Sequence, residues 1–174
     1  HLAPIKIDND LDINFLAKQT PGFSGADIAN VCNEAALIAA RNDHKKVSKQ
    51  DFMDAVDRII GGLERKNKIM TEEEKRSVAY HEAGHATISW LLRYANPLVK
   101  VTIVPRGMAA GFTLYTPEQD KTHMMKSRML DDIVSLLGGR VAEQIIFGDI
   151  STGASNDIQR ATEIARNMIT KYGM

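Results

Sequence analysis

Thr71-Glu72-Glu73-Glu74-Lys75-Arg76-Ser77-Val78-Ala79-Tyr80-His81-Glu82-Ala83-Gly84-His85 opens the helix on which the reading of this chain turns. Thr71 with Glu74 three residues later is a capping box. Val78, His81, His85, Ile88 and Leu92 then recur at helical spacing and predict a helix from Thr71 to about Arg93. Residues four apart on a helix face the same way, about 5–6 Å from each other at Cβ. Two imidazoles so placed can converge on one Zn²⁺ at about 2.0–2.1 Å. Glu82 adjoins the first histidine, where a general base would take a proton from a water activated by the metal. Such a metal lowers the water pKa from 15.7 to about 7 and polarises a carbonyl. The H-E-x-x-H spacing on a helix therefore points to a zinc hydrolase. Gly84 inside that helix costs about 1 kcal/mol against Ala, which predicts the close approach of another backbone.

The rest of the composition sets bounds. The chain has 174 residues, enough for one ordinary domain or two small ones. Its 22 basic and 22 acidic residues balance, so nothing indicates a nucleic-acid partner or an anionic surface. Cys32, the lone cysteine, has no intrachain disulfide partner and falls on an apolar helix stripe, so it reads as a buried thiol. No run approaches the ~20 apolar residues of a membrane span, and no signal peptide is evident. A start at His1 and a stop at Met174 after a helical run read as an excised, soluble piece.

Up to about Ile60 the pattern is all-helical. Leu11–Lys18 is a short helix closed by Thr20-Pro21-Gly22. Ser24 with Asp27 caps a long helix to about Arg41, with Ile28, Val31, Cys32, Ala35, Ala36 and Ala39 on its inner face. Asn42-Asp43-His44 is a loop with His44 in solvent, and Ser48 caps a third helix that buries Phe52, Val56 and Ile59. Residues 1–62 form the first domain, 63–70 a charged linker after Gly61-Gly62, and 71–174 the second domain. In the second, Val99–Val104 alternates with period two and Phe112–Tyr115 is its returning strand. A helix from Thr122 to about Leu137, a break at Gly138-Gly139, a helix to Phe147 and a last helix over 156–171 follow. The fold class is mainly α with a small β-hairpin or sheet. Trp90, Met124, Met125 and Met129 fall in helical stretches and read as core.

A catalytic zinc site takes three protein ligands and an open position, and the chain supplies two in the motif. Residues after His85 lack the x-x-G-x-x-H continuation of metzincins. His123, Asp131, Asp132, Glu143, Asp149 and Asp157 remain as candidates. Asp157 lies behind the small-residue loop Ser151-Thr152-Gly153-Ala154-Ser155, near a helix start whose dipole favours a carboxylate.

Three of these stretches occur together in one known family. His81-Glu82-Ala83-Gly84-His85, Val101-Thr102-Ile103-Val104-Pro105-Arg106-Gly107 and Ser151-Thr152-Gly153-Ala154-Ser155-Asn156-Asp157 resemble the FtsH family of membrane-anchored, ATP-dependent AAA zinc metalloproteases. Thr20-Pro21-Gly22-Phe23-Ser24-Gly25-Ala26-Asp27, with Asn33-Glu34-Ala35-Ala36-Leu37, resembles the helical lid of its AAA module. The resemblance implies zinc ligands His81, His85 and Asp157, the catalytic base Glu82, and a lid whose Gly25 and Ala26 lie near a nucleotide. It also implies protein substrates, misassembled membrane proteins and short-lived soluble ones among them. A homo-hexamer follows as well, with anchoring at the cytoplasmic side of an inner, plasma or organelle membrane by segments outside this stretch. No G-x-x-x-x-G-K-[ST] phosphate loop is present, so ATP and Mg²⁺ belong to the full-length protein. Two other readings stand beside this one: an assembly module with structural zinc, and a stand-alone thermolysin-like peptidase with Glu143 as third ligand.

Overall fold

Side-chain caps start the first four helices. Asp12 accepts from the backbone N–H of Asn14 and Phe15 to open α1 (Ile13–Gln19). Reciprocal capping boxes open α2 (Gly25–Arg41) at Ser24/Asp27, α3 (Lys49–Gly61) at Ser48/Asp51 and α4 (Glu72–Leu91) at Thr71/Glu74. After these come β1 (Leu98–Thr102), β2 (Phe112–Tyr115), α5 (Lys126–Phe147), a short 3₁₀ turn (Thr152–Ala154) and α6 (Ser155–Thr170). The computed structural model describes residues 1–9, 11–20, 22–64, 70–106, 110–115 and 123–174. Among them the fold is mainly α, with one two-stranded antiparallel sheet. The expected turn residue Pro21, residues 65–69 of the linker, Gly107 and the helix start at Thr122 lie outside the described residues.

The chain divides into two compact units, His1–Lys66 with Arg106–Ala109, and Asn67–Pro105 with Ala110–Met174. The first is a small helical unit built on the α2/α3 pair. Val31, Cys32, Ala35 and Ala39 of α2 meet Phe52, Ala55 and Val56 of α3, with Val47 between them. Leu2, Ile5, Ile7, Leu11 and Leu16 close over this core, and a parallel bridge ties Ile7 to Val47. Cys32 is buried, as its place on the apolar stripe predicts. His44 is an exposed loop residue, as expected, and in addition its Nδ1 lies 3.1 Å from Asp51 Oδ2, because the α3 cap turns that carboxylate back toward the loop.

Asp51 is 1 % exposed. Burial pushes its carboxyl pKa up, but the Ser48 N–H and hydroxyl and the His44 ring outweigh that and hold it below the ordinary carboxylate value. A depressed native pKa contributes stability above the unfolded value, about 3.9, and that stability is lost as pH falls through the native one. Amide protection factors in α3 of the intact chain are therefore expected to fall below about pH 4. Asp51→Asn should weaken α3 at neutral pH and flatten the dependence; an unchanged profile in the variant would refute the assignment.

In the second unit, α4 packs on α5, α6 follows α5, and the β1–β2 hairpin lies on α4. The strands pair with Val101 opposite Thr113 and Thr102 opposite Phe112, with a bulge between Leu98 and Lys100. The expected break at Gly138-Gly139 does not occur, since α5 runs unbroken from Lys126 to Phe147. Those glycines serve a helix crossing instead. A Cβ on Gly138 would lie 2.8 Å from the Gly84 carbonyl oxygen, and one on Gly84 only 2.4 Å from the Gly138 oxygen. The close approach predicted for Gly84 is thus to α5. Met129 is buried, whereas Trp90 (78 % exposed), Met124 and Met125 are exposed and are not core. Helical spacing says that such a residue can pack; it does not supply the neighbour.

Candidate metal centre

The buried residues of α4 are His81, Glu82, His85 and Ser89, all polar. Burying such groups is unfavourable unless each is hydrogen-bonded, and each has a partner. His81 Nδ1 donates to Glu143 Oε1 on α5 at 2.8 Å. His85 Nδ1 donates to the Ser135 carbonyl, also on α5, at 2.8 Å. A carbonyl only accepts, so the proton of a neutral His85 ring sits on Nδ1 and its Nε2 carries a lone pair. Glu143 acts the same way on His81, because its own acceptor sites are fixed by Ser151. The Ser151 N–H reaches Glu143 Oε2 at 2.9 Å and its hydroxyl reaches Oε1 at 3.0 Å. Burial pushes the Glu143 carboxyl pKa up, but these donors outweigh it and hold the group ionised.

The two Nε2 atoms therefore face each other, 3.1 Å apart. Asp157, in the first turn of α6, places Oδ2 3.4 Å from each of them. Burial opposes ionisation of Asp157, but the two imidazoles, when they carry a second proton on Nε2, outweigh it and keep its carboxyl far below the ordinary range. In the same way burial works against protonation of both rings, while Asp157, with Glu143 for His81 and the Ser135 carbonyl for His85, raises their affinity for a positive charge. Two lone pairs and a carboxylate oxygen converging on one point form a cation site. Tetrahedral Zn²⁺ with bonds of about 2.0–2.1 Å sets its donors about 3.3–3.4 Å apart, so this triangle fits zinc.

The site depends on the helix crossing. A Cβ on Gly139 would lie 2.6 Å from His81 Nε2, so only glycine leaves room for that ring. Glu82, 7 % exposed, lies beside the triangle and accepts from the Thr113 hydroxyl at 2.7 Å. Burial pushes its carboxyl pKa up, and Thr113 and the histidines only partly offset this. Ser89, one turn beyond His85 on the same face, donates to the Tyr115 hydroxyl at 3.0 Å.

Of the carboxylates and histidines weighed from sequence, the structure brings Asp157 to His81 and His85, and among the described residues these three form the one such cluster. Glu143 stands behind the His81 ring, on Nδ1 and away from the converging Nε2 atoms. Asp131 accepts from the Tyr94 N–H, Asp149 from the Ile150 N–H, and His123 is exposed. Gly25 and Ala26 form the exposed first turn of α2, in the first unit. Sequence reasoning missed Thr113, Ser89 and Tyr115. The spacing of Ser89 after His81 and His85 was a usable signal, whereas nothing in the strand pattern marked Thr113.

Comparison with known proteins gives two domain matches. Residues 68–174 match the model for peptidase family M41, and residues 10–54 match that for the AAA+ lid domain. The chain is 62 % identical over 174 residues to an ATP-dependent zinc metalloprotease FtsH of Parabacteroides distasonis, covering all of this chain and 25 % of that protein. It is 54 % identical over 175 residues to proteins of the same name from Syntrophobacter fumaroxidans and Rhodothermus marinus, covering all of this chain and 27 % and 25 % of theirs. The chain thus spans about a quarter of the length of these curated relatives. With a family match over more than half its residues and relatives aligned along all of it, this chain belongs to peptidase family M41.

Proposed function

We propose that this chain carries the zinc endopeptidase centre of an ATP-dependent protease, with His81, His85 and Asp157 as metal ligands and Glu82 as general base. The observation that carries the reading is the donor triangle of 3.1, 3.4 and 3.4 Å beside a buried carboxylate. When bound, zinc lowers the pKa of a coordinated water to about 7 and polarises the scissile carbonyl. Glu143 and the Ser135 carbonyl hold the imidazole tautomers that present both Nε2 lone pairs. Glu82 takes the proton of the attacking water and returns it to the leaving amine. Its burial raises its basicity, which suits that exchange. The β1–β2 hairpin offers an outer edge on which an extended polypeptide adds as a strand, read by its backbone rather than its side chains.

The remaining assignments rest on the relatives and on family resemblance. They are protein substrates, including misassembled membrane proteins, a homo-hexameric ring, and ATP with Mg²⁺ bound elsewhere in a longer protein near Gly25 and Ala26. A membrane anchor outside this stretch belongs with them; no helix among the described residues is long and apolar enough to cross a membrane.

Elemental analysis tests the metal assignment. About one zinc per chain is expected in the wild type, and Asp157→Asn should lower it sharply, because the amide gives up the charge that the two imidazoles leave unbalanced. Zinc unchanged in the variant would refute Asp157 as a ligand. Loss on Glu143→Gln but not on Asp157→Asn would favour the thermolysin-like reading.

A further inference from the structure

We propose that Thr113 is a positioning residue for the general base, holding one oxygen of the Glu82 carboxylate so that the other is presented to the reacting water. The inference rests on the functional reading above. Its observations are the contacts of one hydroxyl with Glu82 and the tight space beside the Glu82 stem. Thr113 Oγ1 donates to Glu82 Oε2 at 2.7 Å and lies 3.4 Å from the Glu82 carbonyl oxygen, so one hydroxyl spans both ends of the residue. Below it, the same chain segment runs close beside the stem and leaves no room for a side chain: a Cβ on Gly111 would sit 2.6 Å from the Thr102 carbonyl oxygen, 2.9 Å from Val78 Cγ1 and 3.2 Å from Glu82 Cγ. The register explains why this threonine does it. Thr113 pairs with Val101 of β1, and its hydroxyl turns toward α4. A free Glu side chain has three rotatable bonds, and an unfixed carboxylate would spend much of its time out of reach of the water. Anchoring Oε2 removes that freedom before substrate arrives, which is where positioning gains rate.

Thr113→Val keeps the β-branched shape and removes the hydroxyl; Thr113→Ser keeps the hydroxyl and removes the methyl. Both are compared with wild type and Glu82→Gln in the full-length, zinc-loaded protein, using an internally quenched peptide. Thr113→Val is expected to lower kcat about 10- to 100-fold, with KM within about twofold and zinc stoichiometry unchanged. Thr113→Ser should restore most of the loss, which a packing role would not allow. In a crystal structure of the valine-substituted protein, the Glu82 carboxylate should leave its single orientation. Should the valine substitution prevent folding, Thr113→Ala takes its place with the same expectations. Full activity without the hydroxyl, or a serine variant as slow as the valine one, overturns the proposal. Inactive Glu82→Gln beside fully active Thr113→Val would sink the positioning role alone, whereas active Glu82→Gln would sink the functional reading beneath it.

Discussion

Glu82→Gln is expected to lower peptide hydrolysis by about 10²- to 10⁴-fold, the span usual for a general base, with zinc still at one per chain. Glutamine has the shape of glutamate, and its amide oxygen still accepts from Thr113 Oγ1, so the local geometry survives. What it loses is the capacity to take a proton. Glu82 lies outside the donor triangle of His81, His85 and Asp157, and for that reason the metal should stay. Stability should hold or rise, because the substitution removes a charge from a site where burial already disfavours ionisation. This combination separates the readings. A purely structural zinc would be indifferent to Glu82 both in metal content and in whatever the module assembles. The measurement is hydrolysis rate and zinc content on the same preparation. Rates that match the wild type would remove Glu82 from the chemistry, and loss of zinc would place it among the ligands.

Much of this centre was legible because α4 is locally self-specifying. The Thr71/Glu74 cap fixes where the helix starts, and spacing then places His81, Glu82 and His85 on the buried side. The third ligand was a different problem. Asp157 is 76 residues from His81, and only the packing of α6 against α5 brings it there. Helix-dipole reasoning could favour it but not single it out among the six candidates, and resemblance supplied the choice. Gly138-Gly139 shows the opposite failure. Two adjacent glycines look like a break to a reading based on propensity, yet in this helix they are the surface on which Gly84 and the His81 ring lie. Tertiary contact outweighed propensity there. Gly84 is legible because a glycine deep inside a capped helix costs propensity and so implies a neighbour for which the missing side chain makes room. Thr113 left no sequence signal, since a threonine in an alternating strand is ordinary and its value lies in the register that aims it at Glu82.

The same crossing makes Gly84→Ala the most damaging small substitution expected in the second unit. Helix propensity alone predicts a gain of about 0.8–1.0 kcal/mol. Against it, the new methyl would lie 2.4 Å from the Gly138 carbonyl oxygen, 2.6 Å from Ala142 Cβ and 2.9 Å from the Gly138 carbonyl carbon. None of these atoms can swing aside as a flexible side chain would, so α4 and α5 must part. Overpacking of this kind costs about 1–3 kcal/mol and occasionally more; with backbone as the obstacle, the upper end applies, and the net change should be about 2 kcal/mol against folding. The unit's melting temperature should then fall by roughly 5–15 °C. Metal binding should weaken as well, because the bonds that orient the ligands, His81 to Glu143 and His85 to the Ser135 carbonyl, span the same two helices. Chelator competition should show a drop in zinc affinity of about 10- to 100-fold. Ala83→Gly is the matched control. Ala83 is exposed on the same helix, so that substitution loses about 1 kcal/mol of propensity and leaves zinc alone. Opposite exchanges at adjacent positions would thus both destabilise, one through the chain's own preference and one through its neighbour. A Gly84→Ala protein that melts above the wild type would mean that propensity outweighs the crossing.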